Sequence, residues 1–339
     1  MPRLVPSPPC SAAQLRGEIQ ARAQAYARSH RLLHELSPGR VPGVIFGRDE
    51  QGRHGNFHPA ADAAIRANPE WSRRLAKPHT ASRRSRPRKD WRWMELDSAV
   101  SSDALLMNIF CHPGVYHAGT LSTPVAALLG VVPASPLRFG ALPGVPLATA
   151  RKGRSRVRRA HDPSAPGGEA DGDVMVDRTE IDLAIGDPPE QVLIEAKLNE
   201  GDFQTASPTL LRRYRDLPAV FDLDALPRRV PRPLDLPANV DPLDPTVNLP
   251  VSSRPAAEPL YVGYQLIRNV LAAYAGGGSF CLLLDARRTD LIEAWYTVLS
   301  AVHAPELRWR LKLLTWQELA ARVPHDLQCF LEERYGIRG

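Results

Sequence analysis

The stretch from Thr179 to Leu198, TEIDLAIGDPPEQVLIEAKL, constrains the fold more than any other part of the chain. On both sides of a Gly-Asp-Pro-Pro segment at 186–189, apolar residues occupy every second position. A period of two places alternate residues on opposite faces of a sheet, and Gly, Asp and Pro between apolar runs are turn residues. The stretch therefore predicts two strands that are joined by a tight turn and pair as neighbours.

This alternation places Asp182 on the polar face of the first strand and places Glu195 and Lys197 together on one face of the second. If the strands pair, two carboxylates and one ammonium group converge. Two carboxylate oxygens, completed by water and a substrate phosphate, suit Mg²⁺, and a metal so held lowers the pKa of a bound water. A neighbouring lysine could hold or deprotonate that water, or stabilise charge on the phosphorane. The three residue types favour hydrolysis of a phosphodiester.

Asp182, twelve intervening residues and then Glu195-Ala196-Lys197 resemble the core motif of the PD-(D/E)XK nuclease superfamily, although Ile181 stands where that motif has proline. The superfamily includes restriction endonucleases, Holliday-junction resolvases and repair nucleases. The resemblance implies an α/β fold with a restriction-endonuclease-like core, in which helices flank a central mixed β-sheet. It also implies Mg²⁺-dependent cleavage of DNA, with Mn²⁺ as the alternative ion, Asp182 and Glu195 as metal ligands and Lys197 as the catalytic lysine.

The alternative for this stretch is a surface hairpin with solvated charges. The second strand reads VLIEAKL, so its polar residues are embedded in a strongly apolar run. Such a run is expected for a strand in a covered sheet rather than for an exposed hairpin.

Two further site residues are implied by the same resemblance. The segment 94–115 predicts a helix with an apolar face, and Glu95 matches a glutamate that reaches the metal from the first core helix in many members. The alternative is an acid placed favourably near a helix N-terminus. The segment 261–274 predicts an amphipathic helix that ends at a Gly-Gly-Gly stop. Its Gln265 matches a glutamine that contacts the lysine or the DNA in several members. A more specific form of that motif has tyrosine where this chain has Asn269. The alternative for Gln265 is an exposed helix glutamine.

Two basic runs suggest an anionic partner, in line with a net charge of +6. The first lies between Trp71 and Trp93 with tryptophans interleaved, and the second spans 151–159. Lysine and arginine bind phosphates, and aromatic rings stack on bases. The alternative is a solvated loop for the first run and a disordered insertion for the second. The predicted DNA contacts are Arg83, Arg84, Arg86, Arg88, Lys89, Arg151, Lys152, Arg154, Arg156, Arg158 and Arg159.

The chain of 339 residues is long enough for a large core. We expect an N-terminal helix and basic arm over 1–90 and a nuclease-like domain over 91–339, interrupted by a Pro-rich insertion at 227–259. The N-terminal helix is predicted to be capped by Ser11 and to run to Leu36. Near the other end of the chain, Thr315 and Glu318 predict a capping box at the start of a helix. The four cysteines of the chain lack the paired spacing of a zinc site or a disulfide framework, which favours a reducing compartment. Since no run approaches the roughly 20 apolar residues of a membrane helix and the start lacks the apolar stretch of a signal peptide, we expect a cytoplasmic protein.

The sequence therefore predicts a cytoplasmic, metal-dependent DNA endonuclease, most naturally restriction-endonuclease-like. One alternative is a DNA-binding module on a catalytically inactive nuclease fold. Another is a metal hydrolase with a different substrate, which leaves the basic runs unexplained. DNA or RNA as substrate, endonuclease or exonuclease action, and a homodimer that would cut both strands all stay open.

Overall fold

A computed structural model describes residues 9–37, 42–78, 93–148, 175–178, 180–231 and 258–339. All eleven predicted DNA-contacting residues, within 83–89 and 151–159, lie outside these ranges, as does most of the Pro-rich insertion. The predictions for those stretches stay predictions.

Strands and helices alternate along the described chain, as expected for an α/β protein. The strands are β1 His34–Leu36, β2 Val44–Phe46, β3 Tyr116–His117, β4 Thr120–Leu121, β5 Leu137–Ala141, β6 Gly144–Pro146, β7 Val176–Arg178, β8 Ile181–Ile185, β9 Val192–Ala196, β10 Thr205–Ala206, β11 Arg228–Arg229, β12 Leu260–Val262, β13 Ser279–Leu284 and β14 Leu311–Thr315. The α-helices are α1 Ala12–Ser29, α2 Pro59–Ala67, α3 Pro69–Ser72, α4 Ser102–Phe110, α5 Thr123–Leu129, α6 Pro208–Leu211, α7 Leu217–Val220, α8 Tyr264–Ala275, α9 Thr289–Ser300, α10 Pro305–Arg308, α11 Trp316–Ala320 and α12 His325–Tyr335.

A five-stranded sheet in the order β14-β13-β9-β8-β5 forms the centre of the fold. β13 pairs in parallel with β9 and β14, whereas β8 pairs antiparallel with β9 and β5. Parallel neighbours need a crossover connection, and the chain supplies α8 between β9 and β13 and α9 between β13 and β14. The predicted α/β fold with a central mixed sheet and flanking helices is confirmed.

Both faces of this sheet are covered. Ile194 and Leu283 belong to an apolar cluster that also includes residues of α1, α4 and α12. Leu193 and Leu282, their neighbours along the same strands, belong to a second cluster with residues of α8 and α9. Successive side chains of a strand point to opposite faces, so the two clusters lie on opposite sides of β9 and β13. The apolar run VLIEAKL is therefore a strand inside a covered sheet and not a surface hairpin.

The N-terminal helix begins as the sequence predicts but ends earlier. Ser11 and Gln14 form a capping box at the start of α1, which follows the pattern for such caps. The predicted helix to Leu36 was too long, because residues after Ser29 pair instead: β1 runs antiparallel to the buried strand β2. Leu15 and Ile19 of α1 belong to the same cluster as Ile194 of β9. The division into 1–90 and 91–339 stays a prediction.

Two other boundaries differ from the prediction. The expected continuous helix in 94–115 is a 3₁₀ turn at Glu95–Asp97, an extended link, and then α4. The Pro-rich insertion contains one short regular element in its described part, since β11 pairs with β12 at the edge of a three-stranded sheet. Proline is tolerated at the ends of edge strands, and Pro227 and Pro231 flank β11 without entering it.

Among the described residues, no helix combines the length and the apolar character that a bilayer crossing requires.

The tight junction between the glycine stop and β13 yields a stability prediction. A Cβ atom on Gly278 would lie 2.5 Å from the backbone oxygen of Gln191, at the point where Ser279 donates a hydrogen bond to that same oxygen. Gly278→Ala should therefore lower the free energy of unfolding by about 1–3 kcal/mol, measured by urea denaturation. Gly276→Ala is the matched control: its φ of −83° suits alanine, and the nearest atom to its Cβ would be 3.5 Å away. Equal effects of the two substitutions would contradict the steric argument.

Candidate metal and catalytic site

The register between β8 and β9 brings the predicted motif together. Leu183 opposite Ile194 is the last pair of this antiparallel ladder, and Asp182 and Glu195 are the next residues of the two strands beyond it. The Oδ2 atom of Asp182 accepts a hydrogen bond from the backbone N–H of Ala196 at 2.8 Å. Glu195 is only 4% exposed, while Asp182 remains partly open to solvent. Two carboxylates therefore converge at the middle of the sheet, as the alternation predicts.

Lys197 completes the predicted group. Its Nζ atom lies 2.9 Å from Oε1 of Glu195. Although Lys197 follows the last residue of β9, its backbone is fixed on both sides: its N–H donates to the oxygen of Leu283, and its oxygen accepts from the indole of Trp316. These two hydrogen bonds fix the backbone of Lys197, whose ammonium group lies beside Glu195.

Helix α8 orients Glu195 from the other side. Asn269 Nδ2 donates to Glu195 Oε2 at 3.0 Å, and Gln265 Nε2 lies 3.4 Å from Oε1. Residues four apart lie on the same helix face, so both amides reach one carboxylate. The structure thus places Gln265 in the site, against Glu195. It adds Asn269, whose signal in the sequence was its position four residues after Gln265.

Asp103 is a site carboxylate that sequence reasoning missed. It lies in the first turn of α4, after the N-cap Ser101, and is 5% exposed. Burial, followed by the charges of Glu195 and Asp103, raises the pKa of Asp182 well above its usual range, against the opposing effect of Lys197. An acid within a helix whose other residues are almost all apolar was the available signal.

Glu95 occupies a different place from the one predicted. It lies in the 3₁₀ turn before α4 and not on that helix, because the chain is extended at Ser98 and Ser101. Its Oε2 atom lies 3.4 Å from Nζ of Lys77. Burial raises the pKa of Glu95, and the charge of Lys77 opposes that rise. Asp103, rather than Glu95, is the acid of this region whose charge acts on Asp182.

The residues around Asp182 fit a divalent metal ion. Asp182, Glu195 and Asp103 are three carboxylates, and the charges of Lys197 and Arg74 act on Asp182 with them. Carboxylate oxygens are the ligands that Mg²⁺ and Mn²⁺ prefer. Burial is the main cause of the raised pKa of Asp182, and the charges of Glu195 and Asp103 add to it, so a bound cation would favour the ionised form of Asp182. Asp182 and Glu195 would hold such an ion.

The described residues that flank the two basic runs lie close to this site. For the first run, Pro78 forms a β-bridge with Met94, and Glu95 N–H donates to the oxygen of Lys77 at 2.9 Å. For the second, β6 pairs with β7, and β7 ends two residues before Glu180. The chain thus enters and leaves each basic run beside the strand that carries Asp182.

A second group with metal-ligating residues lies elsewhere, formed by His58, His112 and Asp326 with ligand atoms within 4.8 Å of one another. The Nδ1 atoms of both histidines accept backbone hydrogen bonds, from Ala60 and Gly114. A neutral imidazole that accepts at Nδ1 carries its proton on Nε2. The Nε2 atoms face Asp326 at 3.9 and 3.3 Å. Because Nε2 carries the proton in both rings, neither ring offers that nitrogen's lone pair to a metal, and the group suits an electrostatic contact with α12 better than a metal site.

Comparison with known proteins bears on the motif. The sequence model of a family described as restriction endonuclease associating with ARP matches residues 20–336. The chain belongs to this family. The restriction-endonuclease-like resemblance that the motif predicts is thereby confirmed. No curated protein and no solved structure matches the chain.

The burial of Asp182 beside other carboxylates predicts that Asp182→Asn stabilises the metal-free protein of this family member. Because the pKa of Asp182 is raised in the folded state, the wild type loses stability as pH rises from the unfolded pKa through the folded one. The variant should melt about 2–4 °C higher near pH 8, with a smaller gain near pH 5, measured by differential scanning fluorimetry with EDTA.

Added Mn²⁺ should raise the melting temperature of the wild type and leave that of Asp182→Asn almost unchanged. Asp224→Asn is the control, since that side chain is fully exposed. A lower melting temperature for Asp182→Asn in EDTA would contradict the charge argument.

Proposed function

We propose that this chain is a divalent-metal-dependent DNA endonuclease with a restriction-endonuclease-like core. The observation that carries the proposal is the convergence of Asp182, Glu195 and Lys197 on two neighbouring central strands. Membership of a family described as restriction endonucleases supports a nuclease-like role with DNA as substrate. The net charge of +6 is consistent with a nucleic-acid partner.

Each residue has a distinct task in the proposed reaction. Asp182 and Glu195 bind the metal, while Asn269 and Gln265 hold the Glu195 carboxylate in place. When bound, Mg²⁺ or Mn²⁺ supplies a water of lowered pKa and neutralises charge on the phosphoryl group. Arginine and lysine residues of the two basic runs would contact the DNA backbone, which fixes position without reading sequence.

The charge state of Lys197 selects between its candidate roles. Burial alone would lower the pKa of Lys197, but the charges of Glu195, Glu200 and Asp182 raise it above its usual value. In the metal-free protein, the ion pair with Glu195 thus keeps Lys197 as an ammonium ion. An ammonium group donates hydrogen bonds and cannot accept a proton. We therefore assign Lys197 to holding the attacking water and stabilising charge on the phosphorane, and not to deprotonating the water.

Cleavage of supercoiled plasmid tests the proposal. The wild type should nick or linearise the plasmid with Mg²⁺ or Mn²⁺ and be inactive in EDTA. Lys197→Ala should lower the rate by about 10²–10³-fold, the typical loss when a donor that stabilises transition-state charge is removed. Arg322→Ala removes an exposed positive charge and should retain wild-type activity.

The alternative outcomes separate the competing functions. DNA binding without cleavage under any metal would favour an inactive nuclease fold, and a steep loss of that binding with salt would identify phosphate contacts. Absence of both binding and cleavage would overturn the nuclease proposal. Parallel reactions on RNA would show whether the substrate is DNA or RNA. Direct linearisation of the plasmid would support a homodimer that cuts both strands, and the homodimer stays a prediction. Cytoplasmic localisation also stays a prediction.

The two amides of α8 give a graded prediction. Removing a residue that orients a metal ligand typically costs 10–100-fold in metal affinity or activity. Asn269→Leu should therefore raise the Mn²⁺ concentration for half-maximal cleavage about 10-fold or more. Gln265→Leu should have a smaller effect, because its contact with Glu195 is longer, 3.4 Å against 3.0 Å. The reverse order would show that Gln265, and not Asn269, holds the ligand.

A further inference from the structure

Four charged side chains form a closed ring of alternating sign next to the candidate site. Arg74 contacts Asp103 at 2.7 Å and Glu180 at 2.8 Å. Lys77 contacts Asp103 at 3.1 Å and Glu180 at 2.7 Å. The ring joins the described start of the first basic run, the start of α4 and the residue just before β8.

Both cations of the ring contact the same oxygen of each carboxylate. Asp103 receives both contacts on Oδ2, and Glu180 receives both on Oε1. The side chains of Arg74 and Asp103 are 13% and 6% exposed. Partly buried carboxylates need such neutralisation, because removing them from water is costly. Lys77 also lies 3.4 Å from Glu95, so Arg74 and Lys77 together serve three carboxylates near the site.

Charged groups of this ring interact with Asp182. The charge of Asp103 contributes to the raised pKa of Asp182. Burial alone would lower the pKa of Arg74, but the charges of Asp103, Glu180 and Asp182 raise it. Hydrogen bonds place the start of α4 against the end of the β9 segment: Ser102, next to Asp103, donates to Glu200 Oε1 at 2.9 Å, and Asn199 donates to the backbone oxygen of Val100 at 3.2 Å.

Many phosphodiesterases place a second metal ion about 3.5–4 Å from the first, on a further carboxylate. Here the further carboxylate is Asp103, and a second divalent ion bound to it would lie within a few ångströms of Arg74 and Lys77. At such distances like charges repel strongly in a partly buried site. The side of Asp103 that a second ion would need is already taken by two side-chain cations.

We infer that Arg74 and Lys77 take the place of a second metal ion, so that the centre binds a single divalent cation, held by Asp182 and Glu195. This inference rests on the proposed function, since it presupposes a metal at those carboxylates. It assigns Arg74 and Lys77 a role at the site itself, apart from the DNA contacts predicted for the rest of the basic run. It also makes Asp103 a partner of protein cations and not a ligand of the ion.

Counting bound Mn²⁺ tests the inference directly. Free Mn²⁺ is measured by electron paramagnetic resonance during titration of the full-length protein, without DNA. The wild type should bind one ion per chain, and Lys77→Met should bind two. Arg73→Met is the matched control, because Arg73 is adjacent in sequence, 76% exposed and only 3.9 Å from its partner Glu70. It should bind one ion.

A further readout shows whether the added ion is next to the first. Frozen samples of Lys77→Met should show magnetic coupling between two Mn²⁺ ions, which chance binding at the surface would not produce. Adding Asp103→Asn to Lys77→Met should return the count to one and abolish the coupling. Circular dichroism would establish that the variants fold, and Arg74→Gln serves as the second variant if Lys77→Met does not.

The failures of the two proposals are distinguishable. Two coupled ions on the wild type would overturn the inference while leaving the nuclease proposal intact, and this measurement needs no variant. A count of one in Lys77→Met and Arg74→Gln would overturn it as well. No bound Mn²⁺ on the wild type would remove the metal-dependent function itself, and the inference with it.

Discussion

The antiparallel register of β8 on β9 is the constraint on which the site depends. It sets Asp182 beside Glu195, and it directs Glu195 and Lys197 to the face that α8 covers. Because side chains alternate with a period of two, a slip of one residue would turn these groups to the other face. The apolar clusters on the two sides of β9 prevent that slip, since it would bury charges among Ile194 and its neighbours. The hydrophobic core therefore specifies the chemistry of the site.

Concentrating acids in a covered sheet is unfavourable, and much of the surrounding structure compensates for it. Lys197 and two amides hold Glu195, a backbone N–H holds Asp182, and the ring of Arg74 and Lys77 neutralises Asp103. The compensation is incomplete at Asp182, whose pKa is raised. Such residual instability is common where function requires it. The residual instability at Asp182 favours the binding of a cation.

Short-range patterns predicted much of this arrangement. The alternation in VLIEAKL predicted a covered strand, and the capping box of Thr315 and Glu318 predicted the start of α11. Predictions were wrong where tertiary contacts override a local pattern: α1 stops at Ser29 because the following residues pair with β2. The predicted helix carrying Glu95 is broken before Ser102, so Glu95 faces Lys77 while Asp103 influences Asp182. The acid near the site is thus Asp103 and not the predicted Glu95, which lies eight residues earlier in the chain.

The sequence by itself determined the two strands, the turn between them and the facing of Asp182, Glu195 and Lys197, because a period of two depends only on residues a few positions apart. It also indicated the ions and reactions proposed for the site, since two carboxylates and a lysine suit few of either. Only the tertiary structure decided that Asn269, Asp103, Arg74 and Lys77 join them. Those contacts bridge segments that are far apart in sequence, such as Lys77 with Glu180. Their partners depend on how whole helices and strands pack, which no local pattern encodes.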